Sequence, residues 1–494
     1  MGARMIEIEQ KFSLAEGRRI TSLGDELILG ERQSFSLSAS YFDTPTFTLA
    51  RSKITLRRRT GGDDAGWHVK LPGDGHARVE VHAPIVRGAS LLVPDELREQ
   101  VAEVVGLEPL LPVVELRTRR TQTAITTPRG RRLAVLCDDR VTAIRNGQQR
   151  SWRELEVELA GGDEADLARI AEALLTVGAE PKDSPSKLAE ALGGEVREPR
   201  PLGAKATASA VIMAYVAEQV GAILGREAGA RVDAPESVHK MRVATRRLRS
   251  TLSTFRPILD TERTEPLRAE VKWLSERLGG PRDAEVIKAH LLGVVADLPE
   301  AEVVGPVRER VARELDETHN RTLGELVTAL DSARYRRLAD QLVGLLVDQP
   351  LLPEADRKAV KVLGPLLERA TRRVTKRWQA ALATNDELQR ELMVHEARKK
   401  AKAARYAWEA AAPVHDGGTR AATAWEAVTE VLGAAQDTVV VRERLLELAD
   451  AAHRAGESAF SYGLMWERER EAEGAAQHEA EAIISAAVKA SRKA

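Results

Sequence analysis

The chain has 494 residues, 43% of them hydrophobic, 30% charged and 4% aromatic, so two or three soluble domains are expected and a single ordinary core is excluded. A formal net charge of −1 excludes a global field that gathers nucleic acid, and any basic surface must be local. One cysteine, Cys137, excludes an intramolecular disulfide framework and fits a reducing compartment.

From the N-terminus, Met1 to Glu7 lacks an apolar core of signal-peptide length. No run approaches the ~18 apolar residues of a membrane span, so the cytoplasm is the expected location. Residues 1 to about 195 carry short alternating segments: Ile6 to Phe12, Ile54 to Arg59, Trp67 to Leu71, Val79 to Val81, Leu133 to Leu136 and Glu154 to Leu159. Turn signals such as Thr60-Gly61-Gly62-Asp63-Asp64 and Gly73-Asp74-Gly75 separate them. Helical stretches interrupt near Asp95 to Val105 and Glu164 to Val177. A Pro- and Gly-containing linker is expected at 196–204, followed by a helical domain at 205–490. Its 3.6-period segments include Thr207 to Glu227, Pro235 to Phe255, Thr264 to Leu278, Asp283 to Val295 and Val307 to Leu330.

The strands are charged on one face. Glu7, Glu9 and Lys11 alternate with Ile6, Ile8 and Phe12. Arg57 and Arg59 share a face, as do Arg78 and Glu80, and Arg117 and Arg119; Lys70 adds a cation. Glu154, Glu156 and Glu158 oppose Leu155, Val157 and Leu159. A solvated face of an open antiparallel sheet would account for any one of these strands. Several such strands, with carboxylates on the first and last and cations between, fit a closed barrel with a charged lumen better. Carboxylates ringed by Arg and Lys suit Mg²⁺ or Mn²⁺ bridging to a phosphate chain.

The helical part contains a repeat. His239, Arg242, Arg246 and Arg249 return as His395, Arg398, Lys402 and Arg405 at identical spacing. Steps of three, four and three hold each set in one stripe, with Met241, Ala244, Leu248 and Leu252 behind the first. Like charges on one helix repel, so the stripes make sense against a polyanion. Recurrence in register favours hydrogen bonding of the two histidines to phosphate over capping or packing. Leu278-Gly279 to Asp283 parallels Leu432-Gly433 to Asp437, and each Gly is read as a helix end with the Asp starting the next helix. The expectation is two related helical bundles about a pseudo-twofold axis, with both stripes on one cleft.

These residues carry two family resemblances. Glu7-x-Glu9-x-Lys11, Tyr41-Phe42-Asp43-Thr44, Leu56 to Arg59, Trp67 to Gly73, Glu154-x-Glu156 and Ser184-Pro185-Ser186-Lys187 occur in the order of the CYTH domain, of the triphosphate tunnel metalloenzyme superfamily. The His-led basic helices and the Leu-Gly-to-Asp segments resemble the CHAD domain, associated with polyphosphate. The resemblance implies an α+β multidomain protein: an eight-stranded antiparallel β tunnel over 1–195, then an all-α domain. It implies metal ligation by Glu7 and Glu9, with Glu154 and Glu156 opposite and Asp138 or its neighbour Asp139 joining them. It implies phosphate binding by Lys11, Arg57, Arg59, Lys70, Arg119 and Lys187, with Arg78 on a further strand of less defined role. Glu154 and Glu156, with Lys11, are the expected catalytic residues. Arg58 and Glu158 depart from the pattern, as an altered outer face and a third carboxylate.

The expected activity is metal-dependent hydrolysis of inorganic triphosphate or a related compound, tethered to a module that binds inorganic polyphosphate. The alternatives are a non-enzymatic polyphosphate-targeting protein whose barrel senses a phosphate ligand, and an adenylate cyclase. Nucleic acid is disfavoured as a partner because no aromatic platform accompanies the basic helices. The expected place within the cytoplasm is the polyphosphate granule.

Overall fold

The computed structural model describes residues 3–494 apart from 63, 74–76, 86–89, 146, 183–185, 194, 195, 197, 199 and 200, and apart from the side chains at 3–6, 387, 388, 435–437 and 473–478. Ser184, Pro185, part of the expected linker and the Asp437 side chain therefore lie outside the described residues. The chain divides into two compact units, Met1–Arg200 and Pro201–Ala494.

In the first unit, eight strands close into a ring. They are β1 (Ala3–Ser13), β2 (Ile28–Asp43), β3 (Thr55–Thr60), β4 (Gly66–Pro72), β5 (Ala77–Ala83), β6 (Leu111–Thr126), β7 (Arg132–Arg145) and β8 (Gln148–Leu159). Their order is β5-β4-β3-β2-β6-β7-β8-β1, and β1 pairs again with β5. Closure is achieved by dividing β1: its first half, Ala3 to Ile8, pairs with β5, and Glu9 to Phe12 pair with β8. A two-residue strand, β9 (Glu180–Pro181), joins the end of β1. The long strands β2 and β6 escape simple patterning, because serine, threonine and arginine occupy many of their alternating positions.

The outer wall is apolar where helices cover it. Leu97, Val101 and Val105 of α2 (Asp95–Val105; α1 is Thr48–Arg51) pack on Leu56, Trp67, Val69 and Val81. Leu167, Ile170 and Leu174 of α3 (Glu164–Thr176) pack on Leu133, Leu155 and Val157. Each such side chain contributes about 1.5–3 kcal/mol by leaving water. A reciprocal capping box between Asp163 and Asp166 starts α3. Arg58 faces outward, over the Trp67 ring at 5.9 Å. Because side chains alternate, seating Leu56, Val69 and Val81 against α2 sends Arg57, Lys70 and Glu80 inward. Inside, α4 (Lys187–Leu192) packs Leu188 on Tyr41, Leu116 and Val141, giving the interior an apolar layer beside its charged one.

The second unit is helical: α5 (Ala208–Gly225), α6 (Glu227–Arg231), α7 (Ser237–Thr254), α8 (Thr261–Arg277), α9 (Gly279–Ala296), α10 (Val307–Asp331), α11 (Ala333–Val347), α12 (Ala359–Ala383), α13 (Glu387–Ala411), α14 (Gly418–Arg454) and α15 (Phe460–Arg492). Met241, Ala244, Leu248 and Leu252 form the buried back of α7. Three expectations need correction. Helix α5 is long and apolar enough to cross a bilayer, yet 56% of that window is buried inside the unit, as in a core helix. The second Leu-Gly segment does not break its helix: α14 continues through Gly433 and Asp437. The first copy has Gly279-Gly280-Pro281, and proline lacks the N–H that would continue the ladder; the second has Gly433-Ala434-Ala435. Nor does Asp283 cap α9; it lies inside that helix and binds Arg242 at 2.9 Å.

Candidate functional site

The barrel interior encloses a cavity of about 170 Å³. Strand register decides which charges reach it. Glu9 lies directly opposite Glu158, and Lys11 opposite Glu156, across the β1–β8 seam. Glu7, Glu9 and Glu158 bring one oxygen each within 4.8 Å of one another. Lys70 binds Glu7 and lies 3.9 Å from Glu9, while Lys11 bridges Glu9 (3.4 Å) and Glu156 (3.3 Å). Burial works to raise the Glu9 carboxyl, but Lys70 and Lys11 outweigh it and hold the group low. Glu158 has less compensation: burial raises it, and Arg120 at 3.5 Å offsets only part.

A second acidic set, Asp139, Glu154 and Glu156, is already neutralised. Lys187 reaches all three, at 3.0, 2.8 and 2.6 Å, and Arg120 forks onto Asp139 and touches Glu156 at 2.7 Å. Glu156 is held well below the usual carboxylate range, because Lys187 and Lys11 overcome its burial. Of the two sets, Glu7, Glu9 and Glu158 fit a hard divalent cation: three oxygen donors converge and one is under-neutralised.

Cations line the rest of the interior. Arg57, Arg59, Lys70 and Arg78 line the cavity with Lys11 and Lys187. His68 Nδ1 lies 2.9 Å from Glu80, which also faces Arg57 at 3.7 Å. Arg59 is driven down to about 10 by burial, with Arg57 and Arg120 repelling it. The Nε atoms of Arg57 and Arg59 are buried without a hydrogen-bond partner. Arg59 also pairs with Asp64, as Arg57 does with Glu80, so a phosphate oxygen there would answer the orphaned donors.

Two sequence assignments change. Asp138 points outward, where Arg153 forks onto it at 2.9 and 2.7 Å; Asp139 takes the interior place. Arg119 is exposed on the outer wall, and Arg120 is the inward arginine, because Arg120 opposes Asp139 while Arg119 opposes Arg140. Glu154 lies in the Lys187 cluster, and Glu158 holds the position facing Glu9. Pleat alternation accounts for the change: buried Thr118 and Arg120 alternate with exposed Arg117 and Arg119.

In the helical unit, α7 packs against α13. Arg247 lies 2.9 Å from Glu409 and 5.7 Å from the Tyr406 ring centre; Tyr215 donates to Glu409 at 2.9 Å. His239, Arg242, Arg246 and Arg249 form a half-buried stripe on α7. Burial, then Arg282, lowers His239; burial, with Arg242 adding repulsion against the opposing pull of Tyr406, lowers Arg246; burial, then Arg268, lowers Arg249. The Nε atoms of Arg246 and Arg249 are buried without an acceptor. On α13, His395, Arg398 and Lys402 are also half-buried, whereas Arg405 is engaged by Glu409 (2.8 Å) and Glu426 (2.5 Å). Sequence spacing missed Arg247, which lies off the repeated stripe.

Comparison with known proteins accords with this division. The CYTH domain profile matches residues 5–190, and the CHAD domain profile matches residues 214–446. An uncharacterized protein of Mycobacterium tuberculosis (strain ATCC 25618 / H37Rv) is 36% identical over 514 residues, covering 100% of this chain and 98% of its own length. The chain belongs to the CYTH–CHAD family. Among solved structures, the CHAD domain from the plant Ricinus communis is 25% identical and covers 60% of this CYTH–CHAD chain and 95% of its own, with a TM-score of 0.45. A Hippeastrum protein described as having a dominant triphosphatase activity is 18% identical over 39% of this chain and 97% of its own, with a TM-score of 0.27. The first unit is a CYTH domain, and its acidic clusters are ones that could bind a metal.

Proposed function

We propose that the CYTH unit hydrolyses inorganic tripolyphosphate or a closely related linear triphosphate, and that the CHAD unit binds inorganic polyphosphate. The observation that carries the first part is the polarised interior: Glu7, Glu9 and Glu158 on one side, and Arg57 and Arg59 with orphaned Nε donors on the other. A cavity of about 170 Å³ favours an inorganic chain over a nucleotide, since pockets for larger organic ligands run to ~300–1,000 Å³.

Glu7, Glu9 and Glu158 would hold Mg²⁺ or Mn²⁺. When bound, such a cation neutralises phosphoryl oxygens and acidifies water. Lys11, Lys70, Arg57 and Arg59 orient the phosphate chain and stabilise the charge of a loose phosphoryl-transfer transition state. Arg78 lines the same cavity and adds a positive charge. Glu156 pairs with both Lys11 and Lys187, so it positions these two cations in the interior. Glu154 likewise anchors Lys187.

In the CHAD unit, Arg242, Arg246 and Arg249 on α7 and His395, Arg398 and Lys402 on α13 form the polyphosphate surface. His239 contributes hydrogen bonding rather than charge, because burial favours its neutral form. Arg405 acts by holding Glu409 and Glu426.

Phosphate release from tripolyphosphate with Mg²⁺ or Mn²⁺ tests the barrel. Wild type is expected to turn over, with Glu9→Ala reducing release at least 100-fold. Binding of the substrate without hydrolysis across several metals would instead support a phosphate sensor. Cyclic AMP formed from ATP would overturn the substrate assignment.

A further inference from the structure

Arg119 does not reach the interior, and its actual surroundings are unusual. Across the outer wall, Arg119 on β6 lies directly opposite Arg140 on β7, and Arg140 lies directly opposite Arg153 on β8. Three guanidinium groups therefore occupy one row across three strands. Adjacent strands are ~4.8 Å apart, so the row spans roughly 10 Å. Like charges directly opposite one another destabilise a sheet. Asp138 relieves only Arg153, through its two-point contact. Arg119 and Arg140 have no anionic partner among the described residues, and neither does Arg19, from the segment that overlies this wall.

These side chains border a cavity of about 530 Å³ on the outside of the barrel, with Arg32 completing the set. Five arginines thus face a single carboxylate. Ser34, Ser36 and Thr121 supply hydroxyls beside them, and Ser36 continues the row opposite Arg119. Arg153 is 7% exposed and fixed by Asp138 and the Ala15 carbonyl, so one end of the row is rigid.

We propose that this outer-wall arginine row is a second anion site of the barrel, outside the catalytic interior, that takes a segment of linear inorganic phosphate chain. Arg119, Arg140 and the overlying Arg19 offer separated guanidinium forks, which suit an anion with several phosphoryl groups in line because each fork can bind oxygens on a different group; Arg153, its donors committed to Asp138 and Ala15, anchors the end of the row. A single orthophosphate would satisfy one fork and leave the remaining repulsion in place. The site is independent of turnover in the interior.

The test is arginine footprinting of the full chain with a dicarbonyl reagent, read by mass spectrometry in EDTA so that no metal-dependent hydrolysis occurs. Saturating medium-chain polyphosphate is expected to reduce labelling of Arg119 and Arg140 at least fivefold. Orthophosphate at equal phosphorus should change it less than twofold, and exposed Arg132 should be unaffected. Arg119→Gln with Arg140→Gln should leave the phosphate-free melting temperature unchanged or higher, and should abolish protection of Arg19. Undiminished labelling of Arg119 and Arg140, protection by an oligonucleotide but not by polyphosphate, or a lower melting temperature in the phosphate-free double variant would each overturn the proposal. Because labelling is read residue by residue without turnover, failure here is distinct from failure of the triphosphatase assay.

Discussion

Across the β1–β8 seam, Glu158 faces Glu9 at a separation where like charges cost stability unless a cation lies between them. A ligand that binds only the folded state raises its melting temperature. Added Mn²⁺ is therefore expected to raise the melting temperature of wild type, and Glu158→Gln to lose most of that shift. An equal shift in both proteins would remove Glu158 from the metal set. Glu80 works differently. Burial opposes its ionisation, but His68, Lys70 and Arg57 pull its pKa down to about 2 from a reference of 4.5. A depressed carboxyl stabilises the fold above its unfolded pKa and loses that contribution as pH falls toward its folded value. The loss between pH 5 and pH 2 is on the order of 3 kcal/mol. Denaturant titrations should show Glu80→Gln less stable than wild type at pH 7, with the gap closing toward pH 2. A constant gap would show that the cost is packing alone.

At the scale of elements, α4 joins the two layers of the barrel interior. Leu188 packs in the apolar layer, while Lys187 lies within 3.0 Å of Asp139, Glu154 and Glu156. Removing the ammonium leaves buried carboxylates short of a partner, a change that costs about 3–5 kcal/mol. Lys187→Met is expected to destabilise by that order in urea unfolding, and more at pH 8 than at pH 5, because the freed carboxylates then ionise at greater cost. A loss below 1 kcal/mol would show that Arg120 suffices. The same side chain answers much of the charge of this acidic set from within the chain.

At the scale of the molecule, a net charge of −1 is compatible with the proposed polyanion binding because charge is segregated locally. Such binding falls as salt rises, because phosphate contacts displace counterions. Arg242→Glu with Arg398→Glu is expected to weaken polyphosphate binding more than tenfold and to flatten its salt dependence by roughly one unit of slope per lost contact. Full affinity in that variant would move the surface away from α7 and α13.

The chain itself determined the order of its parts. Period-two charge in Glu7-x-Glu9-x-Lys11 and Glu154-x-Glu156-x-Glu158 specifies strands with one charged face, and the repeated His-led stripe specifies amphipathic helices, because both patterns depend only on local geometry. Neighbouring candidates were another matter. Asp138 and its alternative Asp139 differ by one residue, as do Arg119 and the Arg120 that spacing did not single out, and only register against β6, β7 and β8 determines which of each pair points inward. The cross-strand partner of Glu9 was likewise a tertiary outcome: closure of β1 on β8 placed Glu158 there, and Lys187 arrived from a helix beyond the last strand of the ring. A one-residue choice of face carries almost no local energy difference, so the burial of Leu56, Val69 and Leu155 on the far side of the wall settles it.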